Sequence, residues 1–157
     1  MTEYVFKTVW TLEAPVEVVW DAIMASGQWP EWWPYLASVV EVAPGDSSGI
    51  GTINRYTWRA PLPYTIIFET MLSRAERPVL LEGRASGDLE GSGRCTLMAL
   101  GSTVTQVRYE WNVRPTKRWM IFLDPLVHRL LVWNHDQVMR AGGAGLAAYL
   151  AARRAAS

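Results

Sequence analysis

Between residues 36 and 113 the chain alternates short runs of β-formers with turn residues, and this alternation restricts its fold more than any other feature. Turn sequences such as Pro44-Gly45, Gly87-Asp88 and Gly101-Ser102 favour tight reversals of the chain. Connections this short leave no room for the crossover of a parallel sheet, so neighbouring strands are expected to be antiparallel. The predicted strands span residues 36–42, 50–58, 64–74, 79–86, 89–100 and 103–113.

The segment before this meander predicts one more strand and two short helices. Residues 4–12 carry β-formers on both faces and are the first predicted strand. Pro15 suits a first helical turn, and apolar residues follow helical spacing from residue 16 to residue 23, up to a stop at Ser26-Gly27. The proline-bounded segment 29–34 is predicted to be a second short helix or a tight turn.

A long C-terminal helix is predicted from Lys117 towards Tyr149, capped by Thr116, with Pro125 either tolerated near its start or marking a break. Glycines are concentrated at positions 142–145, so the backbone there either packs closely on another element or bends. One broad stripe of helical period follows the segment. Its members are Trp119, Leu123, Val127, Leu130, Leu131, Asn134, Val138, Ala141, Gly142, Gly145 and Tyr149.

Composition indicates one soluble domain of 157 residues, half of them hydrophobic. Fifteen basic and fifteen acidic residues cancel, which argues against a nucleic-acid partner. The charge is unevenly distributed: residues 1–50 carry one base, Lys7, against seven acids, whereas the segment from Lys117 onward carries six bases and two acids. The acidic and the basic segment either attract each other or attract a partner. The alternative is that both are solvated surfaces.

Targeting and metal signals are absent from the sequence. The single cysteine, Cys95, is expected to be a small buried hydrophobe in a reducing compartment, and no Cys/His spacing suggests zinc. Residues 1–7 lack a signal-peptide pattern, and the apolar run 122–133 is interrupted by charged residues. We therefore expect a cytoplasmic protein with no stable membrane insertion, no metal and no cofactor.

Several local sequences resemble the START-like and birch-pollen-allergen-like superfamily, and in particular bacterial polyketide cyclase/dehydrase-like proteins. The similar stretches are Ala14-Pro15 with Val19-Trp20-Asp21-Ala22, Trp29-Pro30 with Trp32-Trp33, Leu62-Pro63-Tyr64, Gly87-Asp88-Leu89 with Gly91 and Gly93, and Trp133-Asn134-His135. The resemblance spans nearly the whole chain. It implies an α+β helix-grip fold, in which a seven-stranded curved antiparallel sheet wraps around a long C-terminal helix, with two short helices between strands 1 and 2.

An arrangement of this kind encloses either a packed aromatic core or an elongated cavity, and apolar cavities with a few polar groups commonly bind small molecules. The first functional hypothesis is a protein that binds a hydrophobic or aromatic small molecule. Apolar burial would supply affinity, with Asn134, His135 or Arg55 fixing the orientation. The predicted ligand-binding residues are Tyr56, Trp58, Phe68, Tyr109, Trp111, Leu131, Asn134 and His135.

The resemblance also implies a second hypothesis, an enzyme of the polyketide cyclase/dehydratase kind, for which His135 is the catalytic candidate. A histidine that titrates near neutral pH is able to move protons beside Asn134 and Tyr109. The alternative is a packing histidine that hydrogen-bonds the neighbouring strand. No complete catalytic set emerges from the sequence, and a third hypothesis is a module that signals through helix movement.

Three further placements are left open by the sequence. Arg55 lies either inside, where it would need an acidic or anionic partner, or solvated on the convex face. Glu82 and Arg84 share a strand face and could pair on the surface. The tryptophans of segment 29–34 form an exposed lip, a membrane-touching patch, or packing that gates the cavity, and packing or gating is preferred.

Overall fold

The computed structural model of the protein describes residues 3–59 and 65–156. The strands in this part of the chain are β1 (Tyr4–Leu12), β2 (Leu36–Ala43), β3 (Ile53–Trp58), β4 (Ile66–Glu76), β5 (Leu80–Gly87), β6 (Leu89–Ala99) and β7 (Thr105–Pro115). The helices are α1 (Val16–Met24), a short 3-10 helix (Ser26–Glu31), α2 (Arg118–Phe122) and α3 (Asp124–Ala156).

The strands form one antiparallel sheet in the order β1-β7-β6-β5-β4-β3-β2. The first strand pairs with the last along its whole length, from Tyr4 opposite Val113 to Leu12 opposite Thr105. β2 lies at the other edge, so α1 and the 3-10 helix connect the two edges of the sheet. The predicted helix-grip fold, with a curved seven-stranded sheet and a long C-terminal helix, is confirmed.

Several predicted boundaries shift for local reasons. β3 begins at Ile53 instead of residue 50, because Gly49 and Gly51 have φ angles of 90° and 92° and form a turn. Tyr64, predicted to start the next strand, lies outside the described residues. The C-terminal helix is divided before Asp124, and Pro125 is the second residue of α3, a position at which its missing N–H costs no helical hydrogen bond.

Glycines make room for large side chains in the middle of the sheet. Gly83 lies opposite Gly93, and Gly93 lies opposite Trp111 on the next strand. A Cβ atom on Gly93 would be 2.9 Å from the Trp111 ring, so only glycine leaves space for this indole on the inner face. A register shift between Leu72 and Arg74 further bends the β4–β5 pair.

The glycines of α3 bring its backbone directly against tryptophan rings. A Cβ on Gly142 would overlap the Trp33 indole, and a Cβ on Gly143 would be 2.8 Å from Trp10. Of the two alternatives for positions 142–145, close packing of the backbone on another element is therefore the one that the structure shows. Small residues at such crossings let the backbone approach a large planar ring.

The same tryptophans hydrogen-bond the helix that they contact. Trp10 Nε1 donates to the carbonyl of Met139 at 3.0 Å, and Trp33 Nε1 donates to the carbonyl of Val138 at 2.8 Å. Both hydrogen bonds are buried, so each large apolar ring also has its polar atom satisfied. This part of α3 is fixed by packing and by directional contacts together.

The predicted apolar stripe is correct for the later part of α3 but wrong for three of its earlier members. Trp119, Leu123 and Leu130 are exposed, and the first two precede α3, so they do not continue its helical register. The buried residues of α3 are Val127, Leu131, Asn134, Val138, Met139, Gly142, Leu146 and Leu150.

Candidate functional site

A cavity of about 550 Å³ lies between the inner face of the sheet and α3. Its size is that of a small-molecule site, and its wall is mostly apolar. Side chains from β3 to β7 form one wall, since alternate residues of each strand point to the same face. Residues of the first half of α3, including Leu131 and Asn134, form the opposite wall.

All of the residues predicted from the sequence to contact a ligand lie on the wall of this cavity. They are Tyr56, Trp58, Phe68, Tyr109, Trp111, Leu131, Asn134 and His135. Strand alternation explains why Tyr56 and Trp58 in β3 and Tyr109 and Trp111 in β7 face the cavity. Their position is a property of the structure, whereas their contact with a ligand stays a prediction.

Four buried polar atoms on this wall lack a hydrogen-bond partner among the described residues. These atoms are Trp58 Nε1, Tyr109 Oη, Asn134 Oδ1 and His135 Nε2. A buried polar group without a partner costs about 1–3 kcal/mol, and such groups are rare in folded proteins. Because all four belong to residues lining one cavity, the cost is concentrated where a bound molecule could offset it.

His135 is held by ring stacking rather than by the expected hydrogen bond to a strand. Its imidazole stacks on Phe6 of β1, with ring centroids 3.8 Å apart and planes 10° from parallel. Burial lowers the pKa of His135 from its usual 6.5 to about 4, although the neighbouring Asp136 carboxylate opposes the shift. The imidazole is therefore neutral at pH 7, and the proton-transfer candidate is a weak base in this setting.

The second histidine stacks in a parallel way two helical turns earlier. His128 is exposed, and its ring lies 4.8 Å from Tyr4 of β1, with an interplanar angle of 22°. Tyr4 and Phe6 are two residues apart on β1, so their side chains point to the same, inner face of the strand. Each of them provides an aromatic surface for one histidine ring. Sequence reasoning found neither contact, because it did not relate β1 to the helix.

Tyr109 and Cys95 are buried neighbours on adjacent strands. Burial raises the pKa of the Cys95 thiol to about 12, so the thiol stays protonated and unreactive at neutral pH. Burial also raises the pKa of Tyr109 well above its usual value, and the nearby Cys95 acts in the same direction. The expectation of Cys95 as a small buried hydrophobe agrees with these positions.

Arg55 lies on the outer face of the sheet. Its guanidinium nitrogen is 2.7 Å from a Glu69 carboxylate oxygen, and half of the arginine side chain is exposed. The idea that Arg55 orients a ligand inside the cavity is therefore wrong. Glu82 pairs with Arg74 at 3.2 Å and with Arg94 at 3.3 Å, instead of with its strand neighbour Arg84.

Little charge faces the cavity. The charged wall residues among those described are Glu41, Glu82 and Arg94, of which Glu82 and Arg94 pair with each other. His135 is neutral at pH 7. No group of three or more potential metal-ligating side chains occurs in the ranges 3–59 and 65–156. The site therefore offers neutral hydrogen-bonding groups in apolar surroundings.

The tryptophans of segment 29–34 pack inside the protein. Trp32 and Trp33 are buried, and their rings stack with centroids 5.4 Å apart. Trp29 is half-buried and donates a hydrogen bond to the carbonyl of Ile23 at 3.1 Å. The preferred reading, packing, is correct, and Trp29 and Trp33 also line the cavity, a contribution the ligand-residue prediction missed.

Comparison with known proteins agrees with this fold. A helix-grip protein with an internal cavity is the class that the fold and the site define. The chain belongs to the polyketide cyclase/dehydrase and lipid transport family, whose model matches residues 5–151. No curated protein matches the chain at a significant level.

Solved structures with the same fold include proteins of several kinds. A START superfamily protein from Mycobacterium smegmatis has a TM-score of 0.72 at 12% identity, covering 89% of this chain and 94% of that chain. The Zhui aromatase/cyclase from Streptomyces sp. R1128 has a TM-score of 0.61 at 16% identity, covering 91% and 93%. The protein Ara h 8.0201 has a TM-score of 0.63 at 16% identity, covering 91% and 97%.

A helix that crosses a bilayer needs about 20 mostly apolar residues, and the described part of the chain contains helices of several lengths. None of them is both long enough and apolar enough to do so.

Proposed function

We propose that the protein binds an uncharged, largely apolar small molecule in the cavity between the sheet and α3. The observation that carries the proposal is the coincidence of an apolar cavity of about 550 Å³ with four unpartnered polar atoms on its wall. Apolar burial would supply most of the affinity, at about 25 cal/mol per Å² before the costs of binding. The polar atoms would fix the ligand's orientation.

The available polar atoms indicate the chemistry of the ligand. Asn134 Oδ1 accepts hydrogen bonds, Trp58 Nε1 donates them, and Tyr109 Oη is able to do either. A ligand with one or two hydroxyl, carbonyl or N–H groups on an apolar body would satisfy them. Satisfying buried groups gives selectivity, because an analogue without the matching atom leaves them unpaired.

The same wall disfavours an anionic ligand. A carboxylate or sulfonate taken out of water needs a cation or several hydrogen-bond donors. Arg94, the cation among the described wall residues, is already paired with Glu82, and His135 carries no charge at pH 7. Uncharged molecules should therefore bind in preference to fatty-acid-like anions of the same size.

A pair of fluorescent probes tests whether the protein binds an uncharged apolar molecule and whether it prefers that molecule to an anion of similar shape. N-phenyl-1-naphthylamine is uncharged and carries one N–H, whereas 1-anilinonaphthalene-8-sulfonate has the same skeleton with a sulfonate added. We expect the uncharged probe to bind with one site per chain, and the sulfonate to bind at least about tenfold more weakly, a difference of about 1.4 kcal/mol. Equal or tighter binding of the sulfonate would contradict the preference for uncharged ligands.

A cavity-filling variant locates the probe. Thr70 lies on the cavity wall in β4, so Thr70→Trp should fill part of the space and weaken binding of the uncharged probe. Thr57→Trp is the matched control, because Thr57 lies on β3 and does not line the cavity. If both variants, folded by circular dichroism, bind the probe as the unsubstituted protein does, binding is outside the cavity.

A second candidate function is cyclisation or dehydration of a polyketide-like chain in the same cavity. It is favoured by the family description, by the similarity to an aromatase/cyclase, and by a neutral imidazole beside Asn134 on the wall. His135→Gln separates the two candidates. Retained probe binding with loss of turnover on a model polyketide would support the enzyme, whereas absence of turnover by the unsubstituted protein would support the binding protein.

A further inference from the structure

A ridge of large apolar side chains is exposed to solvent where α2 meets α3. The term "apolar ridge" here means Phe122, Leu126, Leu130 and Trp133. Phe122 is 85% exposed and Leu126 is 78% exposed, values far above those usual for residues of this size in a folded protein. Leu126, Leu130 and Trp133 are spaced by four and three residues, so they lie on one face of α3. Contiguous exposed apolar surface of this kind marks an interaction site.

The opposite face of the same segment covers one end of the cavity. Met120 and Val127 are almost fully buried and pack in one cluster with Tyr4, Val113 and Leu131. The last three residues line the cavity. The apolar ridge is therefore the outer surface of the element whose inner surface closes the cavity.

Two arginines flank the apolar ridge. Arg118 precedes Phe122 by one helical turn, and Arg129 lies within one turn of both Leu126 and Trp133. Both arginines are exposed, and neither forms an ion pair with any residue in the described ranges. The combination of protruding apolar side chains with flanking cations is typical of a surface that binds anionic lipid.

Two acids lie near the apolar ridge, and one of them forms an ion pair. The Asp124 carboxylate accepts a hydrogen bond from the Tyr4 hydroxyl at 3.3 Å, and Asp136 pairs with Arg140 at 3.1 Å. Arg118 and Arg129 outnumber Asp124 beside the ridge, so the charge there is net positive, although the whole chain has no net charge. Charge complementarity selects an anionic partner.

We propose that the apolar ridge docks the protein on the surface of an anionic lipid bilayer. The four apolar side chains enter the boundary between headgroups and acyl chains, and Arg118 and Arg129 lie at the level of the phosphates. The contact is peripheral, since none of the described helices is able to cross a bilayer. It places the covered end of the cavity against the lipid, and it is independent of which molecule the cavity binds.

A second copy of the chain fits this surface less well. A two-fold dimer uses the same patch on both subunits. Pairing through the ridge would bring Arg118 and Arg129 of one subunit close to the same two arginines of the other, with two arginines against one nearby acid, Asp124, on each subunit. Like charges at the rim of an interface oppose association, whereas anionic lipid headgroups remove the conflict.

Flotation with vesicles tests the proposal. Large unilamellar vesicles of phosphatidylcholine alone are compared with vesicles that contain about one third phosphatidylglycerol, at low and at physiological salt. We expect binding to the anionic vesicles and weak binding to the neutral ones. Phe122→Ser/Leu126→Ser should weaken binding to anionic vesicles about tenfold or more, because both side chains lose their apolar contribution.

A matched control shows whether vesicle binding depends on the apolar ridge or on exposed apolar side chains in general. Met98→Ser/Leu100→Ser removes two apolar side chains that are each 50% exposed at the far end of β6, and it should leave vesicle binding unchanged. Arg118→Gln/Arg129→Gln should reduce the preference for anionic vesicles by about fivefold per arginine. All three double variants alter exposed positions and should bind the uncharged probe as the unsubstituted protein does.

Two results would overturn the proposal. The first is equal vesicle binding by the ridge variant and by the Met98/Leu100 control. The second is absence of vesicle binding together with a concentration-dependent dimer, seen by sedimentation velocity, that Phe122→Ser/Leu126→Ser abolishes. Probe binding by the same samples shows separately whether the proposed cavity function holds.

Discussion

The two halves of α3 contact the rest of the protein in different ways. In the C-terminal half, Gly142 and Gly143 bring the helix backbone against Trp33 and Trp10, whose indole N–H groups hydrogen-bond the helix. In the N-terminal half, the helix lies across a cavity, and two buried atoms there, Asn134 Oδ1 and His135 Nε2, have no described partner.

This difference separates the part of the helix that holds the fold together from the part that is available for function. Close packing with satisfied hydrogen bonds makes the C-terminal half costly to change. Unfilled volume and unpartnered atoms such as Asn134 Oδ1 make the N-terminal half less stable than it could be. Residues that reduce stability in this way are often retained for binding.

The largest effect is expected from a methyl group added to the packed half. Gly145→Ala would place a Cβ against the Trp32 carbonyl oxygen, so the helix has to move away. The gain in helix propensity, about 1 kcal/mol, is smaller than this cost, and we expect a net loss of about 3 kcal/mol or more in the free energy of unfolding. Denaturant unfolding measures it. Gly27→Ala, where a Cβ meets open space, is the control, and equal effects at both positions would contradict close packing.

The N-terminal half of α3, which lies over the cavity, should make the free energy of unfolding depend on pH by a similar amount. In the unfolded chain His135 takes up a proton below its usual pKa of 6.5, whereas in the folded protein burial delays this until about pH 4. The free energy of unfolding should therefore be unaffected by His135 above pH 6.5. It should decrease as the pH drops towards 4, by up to about 3 kcal/mol.

Substituting each of the two histidines in turn shows which one causes this pH dependence. His135→Phe keeps an aromatic ring against Phe6 and should remove the decrease that occurs between pH 6.5 and 4. His128→Phe changes the exposed histidine and should retain it. Thermal unfolding across this pH range is the measurement, and an unchanged profile in His135→Phe would show that His135 is not buried as described.

The smallest effect expected on stability is also the most diagnostic of function. Asn134→Leu removes a buried oxygen that has no described partner, so it should leave stability unchanged or raise it by about 1 kcal/mol. Val138→Ala, one turn later, should lower stability by about 1–3 kcal/mol because it leaves a void in the packed core. Probe affinity should fall in Asn134→Leu. A loss of more than 2 kcal/mol in this variant would indicate a structural hydrogen bond instead.

The sequence predicted the order of the elements, because strand alternation and turn residues are local signals. It also limited positions 142–145 to close backbone packing or a bend, because glycine in a helix is costly without a structural reason. It assigned the inner faces of β3 and β7 from the side on which large apolar residues lie, which correctly placed Tyr56 and Tyr109 on the cavity wall.

Other features depend on contacts between distant segments, which periodicity does not encode. Leu130 is exposed although the adjacent Leu131 on α3 is buried, and the helical stripe alone suggested burial of both. The stacking of His135 on Phe6 depends on the placement of α3 beside β1. The outward position of Arg55 was one of two alternatives, because the acidic partner that decides between them, Glu69, lies on another strand.

The central claim is that the space beneath the N-terminal half of α3 binds an uncharged molecule. A crystal structure of the protein with N-phenyl-1-naphthylamine tests it most directly. We predict one probe molecule inside the cavity, with its N–H directed at Asn134 Oδ1 or at His135 Nε2. Side chains closed over the cavity, with the probe bound only on the outer surface, would contradict the claim.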